Sequence, residues 1–390
     1  MRVLIYNSSA RGSGQYVRSL KLAGIITDSI TDSHCLILAG NSIVEKPLPV
    51  RTEVRELPPI HKSIVGDFVI STPSSGLEKQ ASDLPQAFAE RKRIIDDTIK
   101  AFDPDVFLVD SRPSGLNAEL MDGLRRLSSS QKCKTVLMLR DIVDDPARVR
   151  KRWAHEGTYE LIDALYDDVI IFGTQCVYDA IEAYQMSRSK TKVSFLGLLG
   201  DPCVDASECK TSNTDAALRR ILVTVGGGFD GDRIVDVACE YALRAGDEQR
   251  NLEFDIVLGS NSHLCAQDLT ARYVGLTRNT RIIEHTPDFS ALMMNANVAI
   301  SMCGYNTICE LVQRRKKIIG IPRSHPGREQ TIRAEFLTKT YNGIWVLREP
   351  ELTTAALATL IDTVLAAPEP QVRLEMSGAS NLVAFLLTPR

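Results

Sequence analysis

The stretch 298–330, VAISMCGYNTICELVQRRKKIIGIPRSHPGREQ, limits the possible folds of this chain more than any other. A short apolar run meets a glycine turn, then a helical period, a second apolar run, and a polar loop that opens another helix. Two strands joined through a helix lie parallel in one sheet, because the helix returns the chain to the end it left. Gly304 is placed to supply the turn, with Tyr305, Asn306 and Thr307 where the helix begins. A glycine turn feeding a helix is also where α/β proteins hold phosphate, since the first helical amides have no acceptor of their own.

The same alternation runs through the whole sequence. Apolar runs predict strands at 3–6, 35–39, 51–57, 106–110, 134–139, 169–172 and 193–196, and again at 221–225, 254–258, 281–283 and 343–347. Helical periods fall between them at 16–26, 84–102 and 117–127, and as one long helix between Asp141 and Val169. Strands alternating with helices indicate α/β architecture with doubly wound parallel sheets. A chain of 390 residues exceeds the usual size of one core, so two domains are expected. The polar, aperiodic segment 201–215 marks the boundary. The resulting division is a first domain at 1–199, a linker at 200–215, a second domain at 216–372, and a last helix at 373–390 packing back on the first domain. Residues 58–83, rich in Ser, Gly and Pro, read as a long surface loop of the kind that carries binding functions.

Composition removes several function classes. A formal charge of −3 supplies no basic excess for nucleic acid as the main partner. Nine cysteines include no C-x-x-C pair, and most lie in apolar runs, which suits reduced thiols in a cytoplasm. Cys203 and Cys209 share the polar linker, and the same compartment argument disfavours their pairing. No secretory signal is visible, and no apolar run approaches the roughly 20 residues that span a bilayer, so any membrane contact is peripheral. No pair among the six histidines has metal-ligand spacing, so no dedicated metal site is expected.

Four constellations carry chemistry. The run from Gly226, Gly227 and Gly228 to Gly231 fits G-x-G-x-x-G between a strand and a helix. A dinucleotide reading needs an acid ending the next strand, and that strand ends Leu258-Gly259-Ser260. What remains is a turn approached by a diphosphate or a sugar, or a tight turn alone. Thr307 and Glu310 form T-x-x-E, which is either a capping box or a carboxylate aimed at the two hydroxyls of a ribose. Glu329 and Gln330 follow a strand and a Pro-Gly loop, where they match vicinal sugar hydroxyls or simply begin a solvated helix. Asp110, ending a strand in the first half, is the first choice for a general base and Asp141 the second, against a turn-capping role for either. His285 and His325 lie in loops expected at the sheet's ligand-binding edge. The basic run 314–317 reads as a helix end that complements the dipole and faces water.

From VTVGGGFDG through EHTPDFSALMMNANVAISMCGYNTICELV to IPRSHPGREQTIRAEFL, the second half resembles the donor domain of MurG-like glycosyltransferases, of the family 28 C-terminal type. LVDSRPSG, NAEL and MLRDIVDDP in the first half look like a bacterial branch of that superfamily, so the resemblance covers most of the chain. Cys303 stands where a second glycine is usual. The resemblance implies GT-B architecture, two Rossmann-like domains facing across a cleft. It implies that the helix near Thr307 faces a diphosphate, that Glu310 holds the ribose, and that the backbone from Ile283 to His285 reads the base. Glu329 and Gln330 would contact the transferred sugar, with His325 nearby. The implied reaction is inverting transfer from a nucleotide-diphosphate sugar, most often UDP-linked (UDP-GlcNAc or a UDP-hexose), with no obligatory cofactor or metal. The acceptor would be a small molecule or lipid-linked, and Gly12, Gly14, Arg18 and Arg112 would lie on its side. Relatives commonly carry a His where this chain has Gln15, an amide that is no base. A non-catalytic sugar-nucleotide-binding protein and a UDP-sugar 2-epimerase are the alternatives.

Overall fold

The computed structural model describes residues 1–8, 14–40, 47–62, 68–70, 84–201, 218–228, 230–286, 288–371 and 374–388. Gly12, Cys203, Cys209 and most of 58–83 lie outside these residues. The chain divides into two units, Met1–Leu199 with Ser377–Arg390, and Gly200–Met376.

In the first unit the strands are β1 (Arg2–Asn7), β2 (His34–Ala39), β3 (Thr52–Glu56), β4 (Ile60–Lys62), β5 (Phe68–Ile70), β6 (Val106–Asp110), β7 (Lys134–Arg140), β8 (Asp168–Phe172) and β9 (Lys192–Phe195). Seven of them form one parallel sheet in the order β3-β2-β1-β6-β7-β8-β9. The second unit holds β10 (Arg219–Thr224), β11 (Leu252–Val257), β12 (Thr280–Ile283), β13 (Val298–Ser301), β14 (Lys317–Gly320) and β15 (Ile344–Val346), all parallel, in the order β12-β11-β10-β13-β14-β15. Each sheet reverses its winding once, between β1 and β6 and between β10 and β13. At such a switch point the connecting helices leave toward opposite faces and open a crevice at the strands' carboxyl ends.

The strands were legible because they are buried on both faces. Every residue of β6, β13 and β14 is buried. Neighbours along each strand serve different cores. Val298 and Ile300 join Ile221, Val223, Phe254 and Ile256 on one face, while Ala299 joins Leu222 and Ile318 on the other. The helix Tyr305–Gln313 packs on that second face through Ile308, Leu311 and Val312.

Three expectations need correction. The single helix between Asp141 and Val169 is two, Pro146–His155 and Thr158–Leu165, broken at Gly157 with φ +63°. The segment 58–83, read as a loop, contains the antiparallel pair β4–β5. The basic run 314–317 does not face water. Arg314 is buried and donates to Asp201 Oδ2 at 2.9 Å and Ser290 Oγ at 2.6 Å. Lys316 Nζ caps the carbonyls of Met294 (2.6 Å) and Ala296 (3.0 Å), and Lys317 Nζ that of Ala367 (2.6 Å). These cations do complement helix C-termini, but those of neighbouring helices, reached by alkyl stems buried on the way.

The terminal helix Gly378–Leu387 belongs to the first unit. Asn381 Nδ2 donates to the Leu196 carbonyl at 2.9 Å, and Lys134 Nζ sits 3.9 Å from the Phe385 ring centroid.

Candidate functional site

At the end of β13 the chain turns at Cys303, whose φ of +60° is a left-handed conformation that side chains rarely adopt. Gly304, assigned the turn from sequence, has an ordinary extended backbone (φ −64°, ψ 143°). Its lack of a side chain matters differently: a Cβ there would meet nothing within 4 Å, so the space above the helix start is open. The first helical bond runs from Ile308 N to Gly304 O at 2.9 Å. The N-cap residue, Gly304, has no side chain with which to cap the helix, and no acid lies in its first turn. Thr307 is already inside the helix, so the capping box does not form, and Glu310 lies half-buried further along.

Cys303 is held from three directions. Its amide donates to Ser301 Oγ at 3.3 Å, its carbonyl accepts from Arg333 Nη1 at 2.8 Å, and its sulfur fills the space left by Gly320, where a Cβ would lie 2.6 Å from Sγ. Arg333 is itself buried, with its guanidinium 5.7 Å from the centre of the buried Tyr305 ring. Burial pushes the Cys303 thiol up to about 12, so this sulfur is a packing group and not a nucleophile.

The neighbouring strand, β10, ends in the glycine turn. The register pairs Thr224 with Ser301, which brings Gly226 and Gly304 to adjacent strand ends on either side of the switch point. Gly226 has φ +64° and, like Gly304, open space where a Cβ would stand. Gly228 (φ +86°) is packed, since its Cβ would lie 2.6 Å from the Leu258 carbonyl. Gly227 accepts from Asn261 N at 2.9 Å. Gly231 lies against Val225 with no room for a side chain, which lets the helix Asp232–Asp247 start close to its strand.

At the end of β14, Glu329 and Gln330 open the helix Glu329–Thr340, and both are buried. Neither simply faces water. Arg323 Nη2 donates to Glu329 Oε1 at 2.8 Å, and the Arg323 amide donates to Gln330 Oε1 at 3.1 Å. The other arm of the guanidinium forms an ion pair with Asp230, in the glycine turn. Sequence reasoning missed Arg323 and Asp230. The signal was present only as opposite charges in two loops, with no spacing rule to join them. His325 is exposed beside Ser324. Ile283 ends β12 at the sheet's edge, where its carbonyl accepts from Leu258 N at 2.9 Å, and His285 is exposed just beyond.

In the first unit the switch point between β1 and β6 gathers Asp110 and Arg18. Both are buried, and Arg18 Nη2 binds both carboxylate oxygens, Oδ1 at 2.5 Å. Ser111 Oγ donates to Oδ1 at 2.6 Å. Gly14 opens the helix Gly14–Ser29, and Gln15 Oε1 accepts from Ser8 Oγ at 3.2 Å. Arg112 is exposed, its amide on the Asp110 carbonyl at 2.8 Å. Asp141 stands one strand away, at the end of β7, and accepts from the next amide, Ile142 N, at 2.7 Å. A buried triad also escaped the sequence: Arg91 binds Glu119 at 2.6 and 2.8 Å, Tyr6 donates to Glu119, and Arg91 Nη1 reaches the Pro58 carbonyl at 2.8 Å. Burial and then the Glu119 charge raise the Tyr6 hydroxyl well above its ordinary value, so it stays a donor. Among the described residues no three His, Cys, Asp or Glu gather as a metal site, and no helix is long and apolar enough to cross a membrane.

Residues 220–385 match the family model of the glycosyltransferase family 28 C-terminal domain. No curated protein matches the chain by sequence. Among solved structures, the spinosyn forosaminyltransferase SpnP is similar over 99% of this chain and 93% of its own, with TM-score 0.60 and 15% identity. The calicheamicin glycosyltransferase CalG4 is similar over 98% and 92%, with TM-score 0.59 and 14% identity. MurG of Acinetobacter baumannii follows at 93% and 90%, with TM-score 0.54 and 11% identity. The fold is thus GT-B, as the sequence resemblance implied.

Proposed function

We propose that this chain, whose second half matches the C-terminal domain of glycosyltransferase family 28, transfers a sugar from a nucleotide-diphosphate donor bound at the β10–β13 switch point. One observation carries the reading. Two glycines on adjacent strand ends, Gly226 and Gly304, both leave their Cβ positions open, and one of them is the N-cap of a helix with no acid in its first turn. That is a site for an anion.

In this reading the amides of Tyr305, Asn306 and Thr307 hold the diphosphate and Glu310 takes the ribose hydroxyls. The backbone at Ile283–His285 reads the base, most often uracil in such donors. Glu329 and Gln330 face the sugar, with His325 at the rim. Helix amides stabilise the departing diphosphate, so the arrangement requires no metal. Transfer inverts the anomeric centre when an acceptor hydroxyl attacks opposite the diphosphate. Asp110 receives its proton, with Arg18 releasing one oxygen as the acceptor arrives and with Gly14 and Arg112 on the acceptor's side. Both Asp110 oxygens are already taken by Arg18, and Oδ1 also accepts from Ser111. That pairing, together with Gln15 in place of histidine, favours one second reading: a protein that binds sugar nucleotides without transferring the sugar. The buried free thiols at Cys35, Cys239 and Cys303 fit a cytoplasmic setting.

A thermal-shift screen across UDP-, dTDP- and GDP-sugars tests the donor site, since a ligand at a hundred times its Kd stabilises by about 2.7 kcal/mol. No shift with any of them contradicts the reading. Labelled donor then separates the classes: transfer or slow hydrolysis supports the transferase, binding alone the second reading, and C2 isomerisation an epimerase.

A further inference from the structure

Arg323 joins two loops that follow different strands. One arm pairs with Asp230 after β10, and the other holds Glu329 at 2.8 Å after β14. Its amide fixes Gln330 Oε1 at 3.1 Å, and its carbonyl accepts from Thr331 Oγ1 at 3.0 Å. β13 lies between β10 and β14 in the sheet, so the bridge spans the strand whose end carries Gly304.

We propose that Arg323 is the positioning residue for the transferred sugar, an inference that rests on the donor reading above. The guanidinium sets where the Glu329 carboxylate stands, and the amide bond decides which end of the Gln330 side chain turns away from the backbone. Both sugar-facing groups are thereby held in register with the glycine turn through one residue. The geometry also says that the clamp is more than a staple. Arg323 Nε is buried without an acceptor among the described residues, and a buried N–H left unpaired costs stability. Lysine has no planar fork and cannot bind both carboxylates in this way. The cluster of Asp230, Glu329 and Arg323 carries one excess negative charge. A sugar bearing a carboxylate is therefore disfavoured, and neutral or amino sugars are accepted.

Calorimetric titration of the full chain tests this with UDP-N-acetylglucosamine and dTDP-glucose, each paired with the bare nucleoside diphosphate, and with UDP-glucuronic acid. In Arg323→Ala the sugar nucleotide should weaken roughly tenfold or more, while the bare diphosphate stays within about threefold. Arg323→Lys should recover only part of the loss. Arg323→Ala combined with Glu329→Gln should cost less than the two single changes summed. Should Arg323→Ala fold poorly, Asp230→Asn removes the more exposed arm and should give the same sugar-selective loss in milder form. Equal losses for the sugar nucleotide and the bare diphosphate overturn the proposal, as do unchanged affinities or preferred binding of UDP-glucuronic acid. If the unaltered chain binds none of these donors, the donor reading itself falls, which is a different outcome from a bound donor indifferent to Arg323.

Discussion

Cys303 carries a left-handed turn that glycine adopts most easily, and the neighbouring strand accommodates it: Gly320 has no side chain where the Cys303 sulfur sits. Gly320→Ala should therefore destabilise by about 1–3 kcal/mol through overpacking. Adding Cys303→Gly removes the sulfur and relieves the backbone, so the double variant should recover most of the loss in denaturant titration. Additive losses would mean that the two residues are not packed on each other. The buried thiols of Cys35, Cys239 and Cys303 are all pushed up to about 12, from an ordinary 9.0. The unfolded chain loses these protons first, so their contribution is full below about pH 9 and declines as pH rises toward 12. Denaturant midpoints should fall across that window, and less steeply in Cys303→Ala. An equal slope in both proteins contradicts the assignment. That Cys303 stands where the family resemblance implies a glycine was legible in the sequence. That Gly320 compensates for it was not, because the contact joins two parallel strands with no local signature.

The helix Tyr305–Gln313 is the element on which the functional reading turns. Its N-cap is a glycine and its first turn is free of acids, a choice that leaves helix stability unused. Thr307→Asp should raise stability by about 0.3–1 kcal/mol through the dipole. The same change should weaken diphosphate binding roughly tenfold or more by like-charge contact. A gain in both, or a loss in both, breaks the link between the acid-free turn and an anion. Glu310→Ala should weaken nucleotide binding by more than any change in melting temperature accounts for, because Glu310 lies beyond the first turn and does not close a capping box. A lower melting temperature with unchanged affinity would return Glu310 to a structural role. Helix and strand positions were readable because apolar periodicity reports burial directly. The basic run 314–317 misled for the same reason, since charge suggests water and does not reveal carbonyls at the ends of other helices. The break at Gly157 was invisible because periodicity continues on both sides of it.

Across the molecule, both units wind the same way, and each puts part of its candidate set at the single reversal of strand order, Asp110 with Arg18 in the first and Gly226 with Gly304 in the second. The sequence predicts alternating strands and helices, and hence parallel sheets, but strand order follows only once the pairings are known. Pairing is what gathers the site. Gly226 and Gly304 are far apart in the chain and adjacent in the sheet, and Arg323 closes on Asp230 only because β10 and β14 flank the same strand. In the second unit, the chain entering from the first is bound to the far end of the site helix, where Gln313 holds both the amide (2.7 Å) and the carbonyl (2.9 Å) of Asp201. The proposed donor site puts a sugar nucleotide on the β10–β13 switch point. Amide hydrogen exchange, followed with UDP-, dTDP- and GDP-linked sugars in turn, tests it most directly. At least one donor should slow exchange at Tyr305, Asn306 and Thr307 and in the Gly226–Gly228 turn. Protection confined to other parts of the chain, or none with any donor, would contradict the claim.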